Sequence, residues 1–182
     1  MTQANTSAAP EAGWLSESIP ACLHRHSQTS AKAIATVDGE DSQSYEELDR
    51  ESRRLARHLI SSESDSKFVI LFLKSGVDAA LGIVGAMHSG HCSIAAATIQ
   101  QLEATLTNFP TATIVLRSTS PQIPDGLSDS KRFTIDLAAL PDLPSSDQEL
   151  PEVSSRTTPA QVILTSGSTG ESKAVLYPQC AI

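Results

Sequence analysis

The sequence predicts an α/β fold built on a mostly parallel sheet with flanking helices. Residues 68–73 form a continuous apolar run, which is typical of a strand that is covered on both faces. A helical pattern of apolar residues begins at Gly76, and a further apolar segment follows at 93–97. The order strand, helix, strand indicates a βαβ unit, whose crossover places its two strands parallel in one sheet.

Composition and charge limit the classes of function. The chain has 182 residues, of which 40% are hydrophobic, and this is enough for one domain of ordinary size with a buried core. Its net charge of −8 argues against a nucleic-acid-binding surface. Arg50, Arg53, Arg54 and Arg57 come nearest to a basic cluster, but acidic residues are interleaved with them. We therefore interpret these arginines as part of a solvated helix face.

Other features predict a cytoplasmic protein without a membrane segment. Three widely spaced cysteines, Cys22, Cys92 and Cys180, fit reduced thiols better than a disulfide framework. Residues 1–13 are polar and alanine-rich, lack the pattern of a secretory signal, and are expected to form a disordered tail. No apolar segment has the length of a membrane helix. We predict a single folded unit from residue 14 to residue 182.

The first elements of this unit are predicted from local signals. Ser18 followed by Pro20 is typical of a helix start, and residues 33–37 have the composition of a strand. Asp38 and Gly39 predict the turn of a β-hairpin. Over 45–61 apolar residues recur at helical spacing, and the capping-box pair of a serine at 44 and a glutamate at 47 marks the start of this helix.

Further elements follow the βαβ unit. Gly90 marks the end of the helix that begins at Gly76. We predict a helix at 99–107 and strands at 112–116, 132–135 and 161–164. Residues 118–130 and 141–155 are rich in proline, serine and acidic side chains, so they are expected to be exposed loops within the same domain.

Two groups of histidine and cysteine raise the question of a metal site. The group at 22–26 has no second ligand pair at a finger-like distance, so histidines on a helix surface are the simpler interpretation. For His88, His91 and Cys92 we prefer an interaction of His88 with the dipole of its own helix, because this requires no ligand. We assign no metal ligand in this sequence.

One short run points most directly to a chemistry. It reads Thr165, Ser166, Gly167, Ser168, Thr169, Gly170, Glu171, Ser172, Lys173, and it lies between apolar segments at 162–164 and 174–177. Glycines let backbone N–H groups approach phosphate oxygens, hydroxyls add donors, and Lys173 adds a compact positive charge. These residue types predict a phosphate-binding loop, although an ordinary hairpin turn would have the same composition.

Better-known phosphate loops do not fit this run. In a Walker A loop counted from Gly167, Ser172 would replace the second glycine and Ala174 would replace the magnesium-binding hydroxyl residue. A dinucleotide fingerprint fails because Gly167 and Gly170 lack the Gly-x-Gly start and no amphipathic helix follows. A phosphotransferase site is weakly supported, since no Asp and Asn pair in a magnesium-holding context accompanies the loop.

The run from Thr165 to Lys173 resembles the phosphate loop of the adenylate-forming, or AMP-binding, enzymes. This superfamily includes acyl-CoA synthetases, luciferases and the adenylation domains of nonribosomal peptide synthetases. Ser44-Tyr45-Glu46-Glu47-Leu48 resembles an early Thr-Tyr-x-Glu-Leu motif of the same superfamily. Ser172 and Ala174 stand where the family usually has proline and glycine. Gln179 stands at or near a position that commonly holds histidine.

The resemblance implies a fold and a set of ligands. The fold is the amino-terminal part of the family's large domain, ending in a strand-loop-strand phosphate loop. Family members make acyl-AMP and pyrophosphate from a carboxylic acid and ATP with the help of Mg²⁺. They then pass the acyl group to an acceptor such as coenzyme A or a carrier-protein phosphopantetheine. Residues implied to contact the β- and γ-phosphates are Thr165, Ser166, Gly167, Ser168, Thr169, Gly170 and Lys173.

The resemblance also limits what these residues do by themselves. The groups that the family uses for adenine, ribose, magnesium, the acid and the later catalytic lysine would all follow residue 182. We therefore assign no catalytic residue and expect this portion of an AMP-forming acid-thiol ligase to be inactive, or nearly so, alone. A non-catalytic binding or interaction module derived from an adenylation domain is the alternative. The segment at 93–97, a weak match to the family, favours the nonribosomal-peptide-synthetase-like members.

Overall fold

A computed structural model describes residues 17–62, 66–117, 134–142, 149–151, 157–166 and 172–182. Its helices are α1 (Ile19–Thr29), α2 (Tyr45–Ser61), α3 (Gly76–His88) and α4 (Ile99–Asn108). Its strands are β1 (Ile34–Asp38), β2 (Asp41–Ser44), β3 (Phe68–Phe72), β4 (Cys92–Ala95), β5 (Thr113–Leu116), β6 (Thr134–Asp136), β7 (Pro159–Ser166) and β8 (Ser172–Pro178). The predicted tail at 1–13, the predicted loop at 118–130 and most of the one at 141–155 lie outside the described residues.

The main sheet has the order β6-β5-β3-β4-β7-β8. All neighbouring pairs from β6 to β7 are parallel, and β8 pairs antiparallel with β7. Strands β1 and β2 form a separate antiparallel hairpin. The predicted α/β fold with a mostly parallel sheet is therefore confirmed, and the carboxyl ends of β3 to β7 meet at one edge of the sheet.

Strand β3 lies at the centre of two hydrophobic cores. Val69 and Leu71 enter one core, which α1, α2 and α3 complete, while Ile70 and Phe72 enter the other, which α4 completes. These four side chains are at most 3% exposed. Successive side chains of a strand point to opposite faces, so the continuous apolar run at 68–73 reflects helices on both faces of the sheet.

Each α-helix of the described part begins at a hydroxyl side chain that accepts a backbone N–H of the first turn. These N-caps are Ser18, Ser44, Ser75 and Thr98. At α2 the capping box is complete: Ser44 Oγ accepts the Glu47 N–H at 3.3 Å, and Glu47 Oε2 accepts the Ser44 N–H at 2.9 Å. The predicted helix starts at 19, 45 and 76 are confirmed. None of these helices is long and apolar enough to cross a membrane.

A buried carboxylate joins α1, α2 and α3. Asp49 of α2 is 7% exposed and lies 2.9 Å from His24 Nδ1, while Ser27 Oγ and Arg53 Nε donate to it at 3.2 and 3.0 Å. Burial by itself would raise the pKa of Asp49, but the hydrogen bonds from His24 and Arg53 outweigh it and hold this pKa below its usual value. On α3, His88 Nε2 lies 3.7 Å from Asp49 Oδ1.

The environment of His88 contradicts the helix-dipole interpretation. The residue is 5% exposed, and burial, with Arg53 nearby, lowers its pKa to about 4. A ring that is neutral at pH 7 offers no cation to the carboxyl end of its helix. His88 is instead a buried neutral side chain that faces Asp49 of α2.

The small hairpin of β1 and β2 is fixed to the start of α3. Gly39 has φ +62°, a left-handed conformation that suits glycine in the tight turn predicted here. At the end of β1, the carboxylate of Asp38 accepts the backbone N–H of Gly76 at 2.6 Å. This bond places the hairpin over the carboxyl edge of the main sheet.

Candidate functional site

The two strands that flank the predicted phosphate loop reach the carboxyl edge of the parallel sheet. Strand β7 runs parallel to β4 and ends at Ser166, and β8 returns from Ser172. The described backbone therefore has the two strands on either side of 167–171 that the sequence predicts. Thr165 and Ser166 end β7 and Lys173 is the second residue of β8. Gly167, Ser168, Thr169 and Gly170 lie outside the described residues.

Antiparallel pairing brings Lys173 beside the loop. Ser166 pairs with Ser172, and Thr165 pairs with Lys173. Lys173 is exposed, and its backbone lies one residue beyond the end of the described pairing at Ser172. A cation held beside a short hydroxyl- and glycine-rich connection is a chemically suitable partner for phosphate oxygens.

Two helix starts lie at the same edge. Strand β3 leads through Ser75 into α3, and β4 leads through Thr98 into α4. These helices pack on opposite faces of the sheet, so the chain leaves the two adjacent strands in opposite directions. Such a switch point opens a crevice at the carboxyl ends of the strands, which is where open α/β sheets bind ligands.

A polar cleft at this edge contains residues that the sequence did not single out. The cleft has a volume of about 360 Å³ and is lined in part by Asp41, Lys74, Asp78 and Arg117. Arg117 Nε and Nη2 donate to the two carboxylate oxygens of Asp78 at 2.6 and 2.5 Å, and the hydrogen bond to Asp78 raises the pKa of the guanidinium. Arg117 directly follows β5 and Asp78 lies in the first turn after β3. Their positions just after predicted parallel strands could have identified Asp78 and Arg117 as cleft residues from the sequence.

Gln179 lies at the opposite end of the hairpin from the loop. It follows β8, and its backbone N–H donates to Thr158 O at the start of β7, at 3.1 Å. Six residues of extended chain separate it from Lys173, which corresponds to about 20 Å. The glutamine at the usual histidine position is therefore far from the predicted phosphate contacts.

The histidine and cysteine groups do not converge on a metal. His26 stacks on Tyr45 with ring centroids 5.0 Å apart, and His91 Nδ1 lies 2.8 Å from Ser89 Oγ. Burial lowers the pKa of His91 and raises that of the Cys92 thiol. Among the described residues there is no group of three or more His, Cys, Asp or Glu side chains that could hold a metal ion.

Comparison with known sequences identifies related proteins. A family model described as AMP-binding enzyme matches residues 23–182. Nonribosomal peptide synthetase 5 from Gibberella zeae is 27% identical over 178 residues, which cover 90% of this chain and 2% of that protein.

Solved structures share the fold. The N-terminal subdomain of NpsA from Klebsiella oxytoca, in complex with 3-hydroxybenzoyl-AMSN, has a TM-score of 0.69 and 17% identity, covering 90% of this chain and 41% of that one. O-succinylbenzoate coenzyme A synthetase (MenE) from Bacillus subtilis, in complex with AMP, also has a TM-score of 0.69 at 17% identity, covering 86% and 41%. A fatty acyl-adenylate ligase from L. pneumophila, in complex with acyl adenylate and pyrophosphate, has a TM-score of 0.69 at 18% identity, covering 89% and 30%. The chain spans less than half of each of these proteins.

Proposed function

Because the chain belongs to the family of AMP-binding enzymes, we propose that it is the phosphate-binding portion of an ATP-dependent adenylate-forming ligase. Such a ligase joins a carboxylic acid to the α-phosphate of ATP and releases pyrophosphate. The observation that supports the proposal is the β7–β8 hairpin, in which β7 ends at Ser166 at the carboxyl edge of the sheet and Lys173 pairs with Thr165. The proposed phosphate contacts are those predicted from the sequence, from Thr165 to Gly170 and Lys173.

The chemistry of these residues fits a leaving pyrophosphate. As the acid attacks the α-phosphate, negative charge grows on the β- and γ-phosphate oxygens, and fixed N–H, hydroxyl and ammonium donors stabilise this charge. Extended pairing up to Ser166 and Ser172 fixes the backbone on both sides of 167–171. Mg²⁺ would add further neutralisation of the phosphate chain. We assign it no ligand among the described residues.

The other substrates are proposed from family membership. A carboxylic acid is the second substrate, and coenzyme A or a carrier-protein phosphopantetheine is the acceptor. The likeness to a nonribosomal peptide synthetase supports the carrier-protein alternative. A cytoplasmic location stays a prediction from cysteine usage.

Equilibrium dialysis with labelled ATP, with and without Mg²⁺, tests the proposal. Loss of a hydrogen-bonded charge in Lys173→Ala is expected to lower ATP affinity about tenfold or more. Lys67→Ala is the matched control, because Lys67 is also exposed but precedes β3 at the other edge of the sheet. Equal affinities of the two variants would contradict the assignment of Lys173.

Pyrophosphate exchange with a panel of carboxylic acids tests the catalytic part. We expect no exchange from the 182 residues alone, and robust exchange would contradict this expectation. A folded wild-type chain without ATP affinity would instead support the non-catalytic binding module.

A further inference from the structure

We propose that Gln179 is a positioning residue that fixes the β7–β8 hairpin to the helix layer by accepting the first N–H of α1. This hydrogen bond, called the tie below, sets where the outer end of the hairpin, with Lys173, lies over the edge of the sheet. The importance of Lys173 rests on the proposed function, whereas the tie itself does not.

Gln179 connects two parts of the chain that are distant in sequence. It is 2% exposed, and its side-chain Oε1 accepts the backbone N–H of Ile19 at 3.0 Å across 160 positions. Ile19 is the first residue of α1, where a helix N–H has no partner within the helix. The backbone of Gln179 is fixed in turn by Thr158, at the start of β7. One side chain thus joins the base of the hairpin to the start of a helix.

The hairpin has few other attachments to the sheet. Among the described residues, β7 pairs with β4 at Gln161 and Val162, and Ser93 Oγ donates to Ala160 O at 3.2 Å. Farther out, Ile163 and Val175 are 42% and 39% exposed, although Leu164 still packs in part against the second core. Segments with few buried contacts open locally at low free energy. The contacts at the base therefore decide the direction of the outer end.

The other partner in this tie is itself firmly held. Leu23 places α1 in the first core, and His24 and Ser27 both contact the buried carboxylate of Asp49 on α2. A bond to the start of α1 is therefore a bond to the packed layer of helices.

The chemistry of the bond explains which residue types can serve here. Only the acceptor oxygen of Gln179 is used, since its Nε2 is buried without a hydrogen-bond partner. A neutral histidine also offers one ring-nitrogen acceptor, whereas a protonated histidine offers none. We therefore expect histidine to replace glutamine in this role above the pKa of its imidazole.

Amide hydrogen exchange tests the proposal on the full chain. In Gln179→Leu, which retains the bulk but has no acceptor, exchange is expected to rise about fivefold or more both at Ile19 and along 172–178. Gln101→Ala is the matched control, because Gln101 Oε1 likewise accepts a backbone N–H, that of Ala97 at 2.8 Å before α4. Its effect is expected to remain near α4. Faster exchange at α1 alone in Gln179→Leu would overturn the proposal and reduce Gln179 to a helix cap.

A second variant keeps the test decisive if Gln179→Leu does not fold. In Gln179→His, protection of 172–178, corrected for intrinsic exchange, should match wild type at pH 8 and fall below that of wild type at pH 5. Protection equal to that of wild type at both pH values would overturn the proposal. None of these readouts uses ATP, so a chain that does not bind ATP contradicts the proposed function without deciding the role of Gln179.

Discussion

The contact between α2 and α3 gives a sharp prediction for Gly85→Ala. A Cβ at Gly85 would lie 2.6 Å from Cδ2, 2.9 Å from Cγ and 3.2 Å from Cβ of Leu55. Leu55 is 0% exposed, and its Cγ and Cβ cannot move away by rotation of a methyl group. Overpacking of this kind costs about 1–3 kcal/mol, while replacing a helical glycine by alanine contributes about 1 kcal/mol of stability. We expect a net destabilisation of up to about 2 kcal/mol.

Gly82→Ala is the control within the same helix. A Cβ there would approach the methyl groups of Leu71 at 2.9 and 3.2 Å and one of Leu73 at 3.1 Å. These are the far ends of flexible side chains, so the steric cost is smaller and the gain in helix propensity offsets it. Urea unfolding followed by far-UV circular dichroism should place Gly85→Ala about 1 kcal/mol or more below Gly82→Ala.

The background of the mutation provides the strongest check. Leu55→Ala alone should cost about 2–5 kcal/mol, but it also removes Cδ2 and Cγ, the two atoms that a new methyl group at position 85 would meet most closely, and leaves only Cβ at 3.2 Å. In that background Gly85→Ala should stabilise the chain by about 1 kcal/mol, which reverses the sign of its effect. If Gly85→Ala has the same effect in both backgrounds, α2 and α3 do not approach through these two residues and the reasoning is wrong.

Three further predictions concern charge and capping. Between pH 6.5 and 4 the free energy of unfolding should fall as pH falls, by at most about 3 kcal/mol. The cause is that the unfolded chain protonates His88 at a higher pH than the folded chain, where the pKa of His88 is about 4. His88→Leu should reduce the slope of the free energy of unfolding against pH. Ser44→Ala should lose about 1 kcal/mol of stability in thermal unfolding, more than the exposed Ser61→Ala at the end of the same helix. Asp78→Asn should cost roughly 1–2 kcal/mol, since the Arg117 side chain is 35% exposed and solvent screens part of the pair.

Each of these has a clear contrary outcome. An unchanged pH slope in His88→Leu would assign the acid sensitivity to other groups, such as His58 and His91, whose pKa values burial also lowers. Equal losses of stability in Ser44→Ala and Ser61→Ala would show that the capping box does not stabilise α2. Additive effects in a double-mutant cycle of Asp78 and Arg117 would show that their contact contributes no coupling.

Helix limits could be predicted from sequence because their causes are local. The capping box of α2 joins residues three positions apart, and Gly90, with φ +73°, ends the turn after α3. Periodic apolar residues between such signals determine which face is buried. The starts of α1, α2 and α3 therefore agree with the structure, and α4 ends one residue later than predicted.

The arrangement of the strands depends on distant contacts and could not be predicted in this way. Ser93 and Ala160, which help to place β7 beside β4, are 67 positions apart, and Asp78 and Arg117 are 39 apart. Strand β7 also runs beyond the predicted 161–164, because pairing with β8 keeps the polar residues Thr165 and Ser166 extended. A prediction from the hydrophobic pattern alone therefore ends the strand too early.

The candidate site likewise has a part that local sequence predicts and a part that depends on the arrangement of the strands. Residue types predict a phosphate loop, and parallel pairing of β7 with β4 explains why β7 ends at the carboxyl edge of the sheet. Gln179, which stands at or near the family's usual histidine position, is only six positions from Lys173 in sequence. Six positions of an extended strand span about 20 Å, so the two residues lie at opposite ends of the hairpin.

Strand β8 ends the described sheet on one side, and the backbone groups along its outer margin have no partner strand there. With Val175 and Leu176 39% and 52% exposed, this margin can accept another β-segment, from a longer form of the polypeptide or from a second molecule. Electrostatic repulsion from the net charge of −8 opposes pairing between two copies. Added salt, which screens that repulsion, should therefore promote oligomers of the isolated chain, and light scattering would detect them.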